Sequence, residues 1–449
     1  MAKLPLIWGS SIHAGQPRMN TGVGGIWGIL AMLALGLAPA LQASTPSGSI
    51  DAFIASEMPA SGAPGLAYAV VEDGKIDLDT GISNYLEVFS GRPGYAITIR
   101  QLLSHTSGFS TLQGNQTHKD LTTGKDELAR QVEQIAQWDP AYKPGIRWEY
   151  SNANYQVLGA LIEALSGQDF AGYIETRILK PIGMNHSFVA DGQVHDTMAR
   201  GHRPWFGTKR PMQESKTDLI IAPAGGVIAS AGDVARYLAI MMNGKDDVIS
   251  AASKAAMLRP ASDASPFYGL GWFIDAGQGT VFHTGNSPGI ETLATMVPAA
   301  KKGVVVLVNA GSGIGFGETA QLRKGIAARA LGMDYADEGS RWQQKTVFVV
   351  CALLPVLFVL SMVWAWFHRA QLRAKSGAFG LFSLWFPLVT TLAMAWTFFY
   401  LIPQLFGVST ATLRLFQPDL GLAFLAAAAT GVMWAVFRLG VAYSGAKRA

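Results

Sequence analysis

Two tripeptides and one histidine carry the side chains that could do chemistry in this chain. Tyr150-Ser151-Asn152 places a phenol next to an amide, and His283-Thr284-Gly285 places an imidazole and a hydroxyl before a glycine. Tyrosine and histidine can transfer protons, and an asparagine amide can hold a polar group of a substrate. Each motif also has a structural interpretation, since Asn152 could simply cap a following helix and His105, in LLSHTSG, could belong to the scaffold.

The segments around these motifs have the patterns of a protein with both helices and strands. NANYQVLGALIEALSG repeats apolar residues at helical spacing from Tyr155 to Leu165, with Gly167 as its stop, and DVARYLAIMMNG has the same pattern. YGLGWFID, GTVFHTG, ETLATMVP and KGVVVLVNAG are short strand-like runs separated by Gly, Asn and Pro. They predict an antiparallel meander with HTG on a strand. Residues 44–340 are therefore predicted to form one domain of the α/β (α+β) class.

The order of these segments resembles the serine β-lactamase and penicillin-binding-protein group, and especially its class C β-lactamases. The resemblance is carried by six blocks in chain order: GAPGLAYAVVEDGK, ITIRQLLSHTSGFS, PGIRWEYSNANYQVLGALIEALSG, APAGGVIASAGDVARYLAIMMNG, YGLGWFID and FHTGNSPGI. It implies a β-lactamase/DD-peptidase-like fold, in which an antiparallel sheet carries a helical subdomain. It also implies a serine hydrolase acting on D-amino-acid peptides, β-lactams or small esters.

Two of the three active-site elements of such proteins are present. By resemblance, Tyr150 would shuttle a proton between nucleophile and leaving group, and Asn152 would bind the substrate amide. The His283-Thr284-Gly285 strand would lie beside the substrate, contribute to the oxyanion hole and meet the substrate carboxylate. The resemblance assigns His105 and Ser151 to the scaffold, and we expect neither a metal nor a diffusible cofactor.

The third element is missing from its expected place. In similar proteins a Ser-x-x-Lys segment follows the first strand, and its lysine, one helical turn after the serine, helps to activate the hydroxyl. Here EDGK runs directly into IDLDTGISNYLEVF, as though several tens of residues were lost at Gly74-Lys75. The one Ser-x-x-Lys match, Ser444 to Lys447, lies in the C-terminal tail, and Ser250 and Ser253 precede Lys254 at the wrong spacing.

The missing segment predicts weak chemistry and a weak fold. Serine hydrolases stripped of triad members keep only about 10³- to 10⁴-fold catalysis over water. The lost helix would be the central one of the helical subdomain. Single large-to-small core changes already cost about 2 to 5 kcal/mol, against a total stability of about 5 to 15 kcal/mol. We therefore expect an inactive, weakly folded domain that lacks part of its core.

Uncharged apolar runs at both ends predict export and membrane anchoring. Residues 1–43 have cations at Lys3 and Arg18, then the uncharged run Gly22–Ala40 and small residues, which is typical of a signal peptide or an N-terminal anchor. Residues 341–449 contain three runs long enough to be transmembrane helices: Val347–Phe367, Phe379–Phe406 and Leu420–Phe437. Basic residues follow the first and the third run. The positive-inside rule therefore predicts an extracytoplasmic domain on a multi-pass cytoplasmic-membrane anchor.

Composition excludes several other classes. The net charge is only +4, and no basic stripe interleaved with aromatic residues occurs, so we expect no nucleic-acid partner. Cys351 is the only cysteine, which excludes an intrachain disulfide and a thiolate zinc cluster. The expected partners are the bilayer and a cell-wall peptide or small amide or ester substrate.

Three functional interpretations stay open. The chain could be an internally deleted form of an active serine hydrolase, or a pseudoenzyme that binds cell-wall peptides or a partner protein. In the third interpretation the membrane helices act and the exported domain is their sensor. The sequence does not identify a substrate, because likeness of fold does not settle function.

Overall fold

The computed structural model describes residues 76–91, 96–116, 126–214, 216–335 and 339–444. The predicted signal or anchor segment and the Gly74-Lys75 junction lie outside these residues. Two 3-10 turns, Ile82–Asn84 and Glu87–Phe89, begin the described part.

In the part of the domain that the structure describes, the helical half contains nine α-helices. Most are short, and α5 continues through a π turn, Glu175–Leu179, into α6. Their bounds are α1 Ile99–Leu103, α2 Thr111–Asn115, α3 Glu127–Ala136, α4 Asn152–Ser166, α5 Phe170–Ile174, α6 Lys180–Ile182, α7 Ala222–Gly225, α8 Ala231–Met242 and α9 Ala251–Met257.

Helix α4 forms the centre of this half. Every residue from Asn152 to Ile162 is buried, as expected for a helix surrounded by other elements on all sides. Gly167 ends it in the left-handed conformation, with φ of 66°, which confirms the predicted stop. The N-cap is Ser151, and Asn152 is already inside the helix. The interpretation of Asn152 as a simple cap is therefore wrong, because the helix begins one residue earlier than the amide would need.

The predicted meander is confirmed as a four-stranded antiparallel sheet in the order β5-β6-β7-β8. Helix α10, Ala320–Leu331, covers one of its faces, where Ala327 packs on Leu293 and Val306. Smaller two-stranded sheets pair β1 with β4 and β2 with β3. The strands are β1 Ser187–Val189, β2 His202–Trp205, β3 Thr208–Pro211, β4 Val227–Ala229, β5 Phe273–Asp275, β6 Thr280–Ser287, β7 Ile290–Val297 and β8 Lys302–Val308.

Strand β5 covers only the beginning of β6. Its three residues pair with Thr280 to Phe282, whereas β7 pairs with β6 as far as Ser287. The segment His283–Ser287 therefore extends past β5 on the side opposite β7. A strand edge of this kind presents backbone donors and acceptors to whatever approaches it.

One cluster of buried apolar residues joins the helices to the inner face of the sheet. It includes Leu103 of α1, Leu158 of α4, Leu238 of α8 and Met296 of β7. The expected class of mixed helices and antiparallel sheet is confirmed. The expected weakness of the domain stays a prediction.

The C-terminal part has three helical spans that are long and apolar enough to cross a membrane by length and composition. They are Trp342–Phe367, Gly377–Phe406 and Pro418–Tyr443, and they contain the three predicted runs. Most of their large apolar side chains are exposed, as helices facing lipid require. The helices are α11 Trp342–Phe367, α12 Arg369–Arg373, α13 Gly377–Trp396, α14 Ile402–Phe406, α15 Thr410–Phe416 and α16 Pro418–Tyr443, with a π turn, Thr397–Leu401, between α13 and α14.

The two ends of this bundle have different contacts. At one end Arg373, one of the basic residues that follow the first span, donates to the Val441 carbonyl (3.3 Å) and to Ser444 (3.2 Å) near the end of the third span. At the other end Asp419 accepts from the backbone N–H of Phe206, at 2.9 Å, in the β2–β3 turn. The domain and Arg373 are therefore at opposite ends of the bundle.

Candidate active site

The structure brings the two predicted motifs together. The rings of Tyr150 and His283 have centroids 6.3 Å apart, although 133 positions separate them in the chain (283 minus 150). The imidazole of His283 is 4% exposed. Its Nδ1 lies 2.7 Å from its neighbour's backbone oxygen, that of Thr284, and its Nε2 lies 3.4 Å from the Tyr268 hydroxyl. These contacts hold the ring at the start of the open segment of β6.

Thr284 and Gly285 continue the strand, but the Thr284 side chain lies on the face of the sheet opposite to that of His283. The register pairs His283 with Ala294 and Thr284 with Leu293. Because side chains alternate along a strand, Thr284 shares the face of Leu293, which packs under α10, and only His283 shares the face of Tyr150. Gly285 is buried. The roles predicted for these three residues and for Tyr150 and Asn152 stay predictions.

His105 lies against Tyr150, and its contacts are structural, as the resemblance implied. Its ring lies 4.3 Å from that of Tyr150, centroid to centroid. Its Nδ1 accepts the backbone N–H of Ser151 (3.2 Å) and lies 2.9 Å from Asn154 Nδ2. Because a backbone N–H only donates, Nδ1 is the acceptor and the ring proton belongs on Nε2. The imidazole therefore fixes the backbone of the YSN segment.

The backbone conformation at His105 explains why the sequence did not indicate which segment this residue holds. The residue has φ of 57°, a left-handed conformation that is uncommon for residues other than glycine and asparagine. This conformation turns the chain so that the imidazole points at Ser151 instead of following α1. A strained turn of this kind is not visible in apolar periodicity. The signal that could have found it is the polar run SHTS between the apolar end of α1 and Gly108.

The pKa of His105 makes a pH prediction. Burial, reinforced by nearby His283, holds the pKa of His105 well below its usual value. In the unfolded chain, where a histidine has a pKa of about 6.5, His105 is protonated at low pH, whereas in the folded domain it stays neutral. The contribution of His105 to the free energy of unfolding is therefore fully present above about pH 6.5 and is lost as the pH falls. Between pH 7.5 and pH 5.0 we expect this effect of His105 to lower the free energy of unfolding by about 2 kcal/mol, as measured by urea unfolding.

His105→Asn is the matched variant for this measurement. Asparagine tolerates the left-handed backbone and offers an oxygen acceptor to Ser151, but it does not titrate. We expect the difference in unfolding free energy between pH 7.5 and pH 5.0 to be smaller in the variant by that same amount. An equal pH dependence in both proteins would contradict a neutral, buried His105.

Asn152 faces the short helix α2. Its Nδ2 lies 3.4 Å from Oδ1 of Asn115, the last residue of that helix. Thr111, the first residue of the same helix, donates through Oγ1 to the Tyr150 carbonyl at 2.7 Å. Both YSN side chains predicted to act therefore lie on a backbone that α1, α2 and α4 hold together.

The serines and lysines of the described domain do not form an acylation pair. Ser107 donates to Asn154 at 2.5 Å, and Ser250 caps α9 by accepting from Ser253. Lys254 is buried and pairs with Asp247 at 2.5 Å. Within residues 76–335 that the structure describes, no hydrogen bond joins a serine hydroxyl to a lysine amine. Ser444, in the accidental match, lies at the basic end of the bundle, beside Arg373.

The domain is similar in sequence to proteins of one known family. A family model described as Beta-lactamase matches residues 64–329. Protein flp of Staphylococcus aureus (strain MRSA252) is 25% identical over 351 residues, covering 75% of this chain and 69% of flp. PbpX of Bacillus subtilis (strain 168), named as a penicillin-binding protein, is 29% identical over 246 residues, covering 53% of this chain and 57% of PbpX.

A solved structure shows the same fold. The octameric penicillin-binding protein homologue from Pyrococcus abyssi has a TM-score of 0.51 at 22% identity, covering 70% of this chain and 66% of its own. The likeness of fold agrees with the sheet and helices described above, and the family model spans more than half of the chain, including YSN and HTG. On these findings the chain belongs to the β-lactamase family of serine-hydrolase-related proteins.

Proposed function

We propose that this chain is a membrane-anchored member of the family whose extracytoplasmic domain no longer forms an acyl-enzyme and binds its ligand without turnover. The observation that carries the proposal is the assembled but incomplete site. Tyr150 and His283 lie close together, yet no serine–lysine pair accompanies them among the described residues of the domain. A serine hydroxyl without a base is a poor nucleophile at neutral pH.

Burial of the tyrosine supports the same conclusion. The Tyr150 hydroxyl is shut off from solvent, and the rings of His105, Tyr268 and Phe273 surround this region. A proton shuttle must reach both nucleophile and leaving group. An enclosed phenol in a cluster of aromatic rings is poorly placed for that exchange.

The open edge of β6 supports ligand binding. Residues His283–Ser287 extend past β5, so an extended peptide or amide could add to the sheet there through backbone hydrogen bonds. A cell-wall peptide, or a small amide or ester, has the donors and acceptors that such an edge requires. These are the ligands that we propose for the domain.

Membrane anchoring and orientation rest on the bundle. Its three spans have the length and composition of membrane helices, and Arg373, from the basic loop after the first span, lies at the end opposite the domain. Because short cytoplasmic loops are enriched in lysine and arginine, this arrangement favours a domain outside the cytoplasm.

Labelling of membranes tests the proposal directly. Membranes containing the full chain are treated with fluorescent penicillin and, separately, with a fluorophosphonate, and are then run on a denaturing gel. We expect no covalent band at the mass of the chain, because no serine of the domain that the structure describes is paired with a lysine that could activate it. Penicillin-binding proteins of the host on the same gel show that the labelling worked, and an immunoblot shows that the chain is present.

A band at the mass of the chain would overturn the proposal, provided that one serine substitution in the domain removes it. Ser107→Ala and Ser151→Ala are the first variants to compare, since both serines lie beside His105 and Asn154.

A second candidate, an internally deleted form of an active parent, is favoured by the directness of the EDGK–IDLD junction. The coding DNA distinguishes the two. Nucleotides encoding a Ser-x-x-Lys helix beside the Gly74 codon favour a deletion, and uninterrupted coding favours a non-acylating domain.

A further inference from the structure

Helix α2 contacts the YSN motif and the membrane bundle at the same time. On the site side, Thr111 donates to the Tyr150 carbonyl and Asn115 accepts from Asn152. The backbone approaches so closely that a Cβ on Gly114 would lie 2.5 Å from the Asn152 nitrogen. No side chain larger than hydrogen fits between α2 and the motif, so a displacement of α2 displaces Asn152.

On its other side, α2 is held by the loop that joins the second and third membrane spans. Asn115 Nδ2 donates to the Gly407 carbonyl at 2.6 Å, and Thr412 Oγ1 donates to the Asn115 carbonyl at 3.3 Å. A Cβ on Gly407 would lie 3.0 Å from Cβ of Thr111. Asn115 and Thr412 are both buried.

These contacts determine which way the Asn115 amide faces. The Gly407 carbonyl only accepts, so the NH₂ group of Asn115 must point at the loop. Its oxygen is thereby turned toward the NH₂ group of Asn152. The orientation of the Asn152 amide, which sets whether a donor or an acceptor faces a ligand, therefore depends on a backbone carbonyl of the membrane part.

We propose that Asn115 is a positioning residue that ties the orientation of Asn152 to the Gly407–Thr412 loop, so that the packing of the membrane helices controls the order of the YSN site. The inference rests on the proposed function only in that the ordered site is the one that binds a ligand. Ser409 strengthens the loop side of the link, because it caps α15 and lies 2.8 Å from Thr412 Oγ1.

Hydrogen exchange of the full chain in lipid nanodiscs tests this coupling without a ligand. The reporters are the amides of Glu149 and Ser151, which donate to the carbonyl and to the Nδ1 of His105. Thr412→Val keeps the shape of the side chain and removes its donor. We expect exchange in the peptide covering residues 149–154 to become about three- to tenfold faster, the range that one lost buried hydrogen bond gives.

Three further variants make the test specific. Thr412→Ser keeps the hydroxyl, so hydrogen exchange in the reporter peptide should match that of the unsubstituted chain. Asn115→Ala should give the same acceleration as Thr412→Val, and the double variant no more than either, because both changes break one path. Asp419→Asn weakens a different contact between the domain and the bundle, the one to Phe206, and should leave the reporter peptide unchanged.

Unchanged exchange in Thr412→Val would overturn the proposal. Equal acceleration in Asp419→Asn would also overturn it, because the effect would then be general loosening of the domain. Neither result depends on penicillin labelling, so the coupling and the loss of acylation can fail separately.

Discussion

Replacement of Glu291 by alanine should lower the free energy of unfolding of the domain by about 3 to 5 kcal/mol. The Glu291 carboxylate is buried, and Arg323 Nη2 lies 2.5 Å from it. The same carboxylate accepts from the Ser312 backbone N–H at 2.6 Å and from the hydroxyl of Thr319. Alanine leaves the guanidinium buried without its counter-charge and leaves the Ser312 turn without its acceptor. Chemical unfolding of the detergent-solubilised chain measures the loss.

An exposed ion pair provides the control for this prediction. Arg100 and Asp79 lie 2.7 Å apart, but the aspartate side chain is 62% exposed. Asp79→Ala should therefore change stability by no more than about 1 kcal/mol. If Glu291→Ala cost no more than Asp79→Ala, the buried pair would not hold the β8–α10 connection. The double variant Glu291→Met, Arg323→Met should recover much of the loss, because it removes both charges.

Gly108→Ala is the second change with a large expected effect, about 2 to 5 kcal/mol. Gly108 has φ of 90°, which residues with a Cβ rarely adopt, and an added Cβ would lie 2.0 Å from the Tyr142 carbonyl oxygen. The close approach is fixed by a hydrogen bond from the Tyr142 N–H to the Gly108 carbonyl, at 3.2 Å. The alanine must push this loop away, and the turn that carries His105 moves with it. The same unfolding measurement applies.

Gly91→Ala separates the cost of the left-handed backbone from the cost of the contact between the added Cβ and Tyr142. Gly91 has φ of 79°, but a Cβ there would meet nothing within 4 Å. Gly91→Ala should lower the free energy of unfolding only through the strain of the left-handed backbone, by about 1 to 2 kcal/mol. Equal losses in the two variants would mean that the contact with Tyr142 contributes nothing and that backbone conformation alone matters.

The predictable parts of the fold are those that local sequence patterns determine. The meander of β5 to β8 follows from apolar runs separated by glycine and proline, and the stop of α4 at Gly167 follows from the need for a left-handed residue. The three long apolar helices of the C-terminal part follow from length and apolarity alone.

The parts that were missed depend on residues distant in the chain or on one backbone angle. Ser151 occupies the N-cap position of α4, without a side-chain capping hydrogen bond, because His105, 46 positions earlier, accepts the Ser151 N–H and holds the chain extended. The role of His105 itself depends on its φ of 57°. Of the site, the sequence indicated that Tyr150 and His283 would meet, but not the link from Asn152 to Asn115. Neither cause leaves a periodic signal.

The contact between Asn115 and Gly407 also constrains the order of events during synthesis. The two residues are 292 positions apart, and Gly407 follows the second membrane span. A ribosome adds about 5 to 20 residues per second, so roughly 15 to 60 seconds separate the appearance of the two partners. Throughout that interval the domain has α2 without its support from the C-terminal helices. The YSN segment therefore reaches its final geometry only after the C-terminal helices have been made, so their docking on α2 is a step in the maturation of the domain.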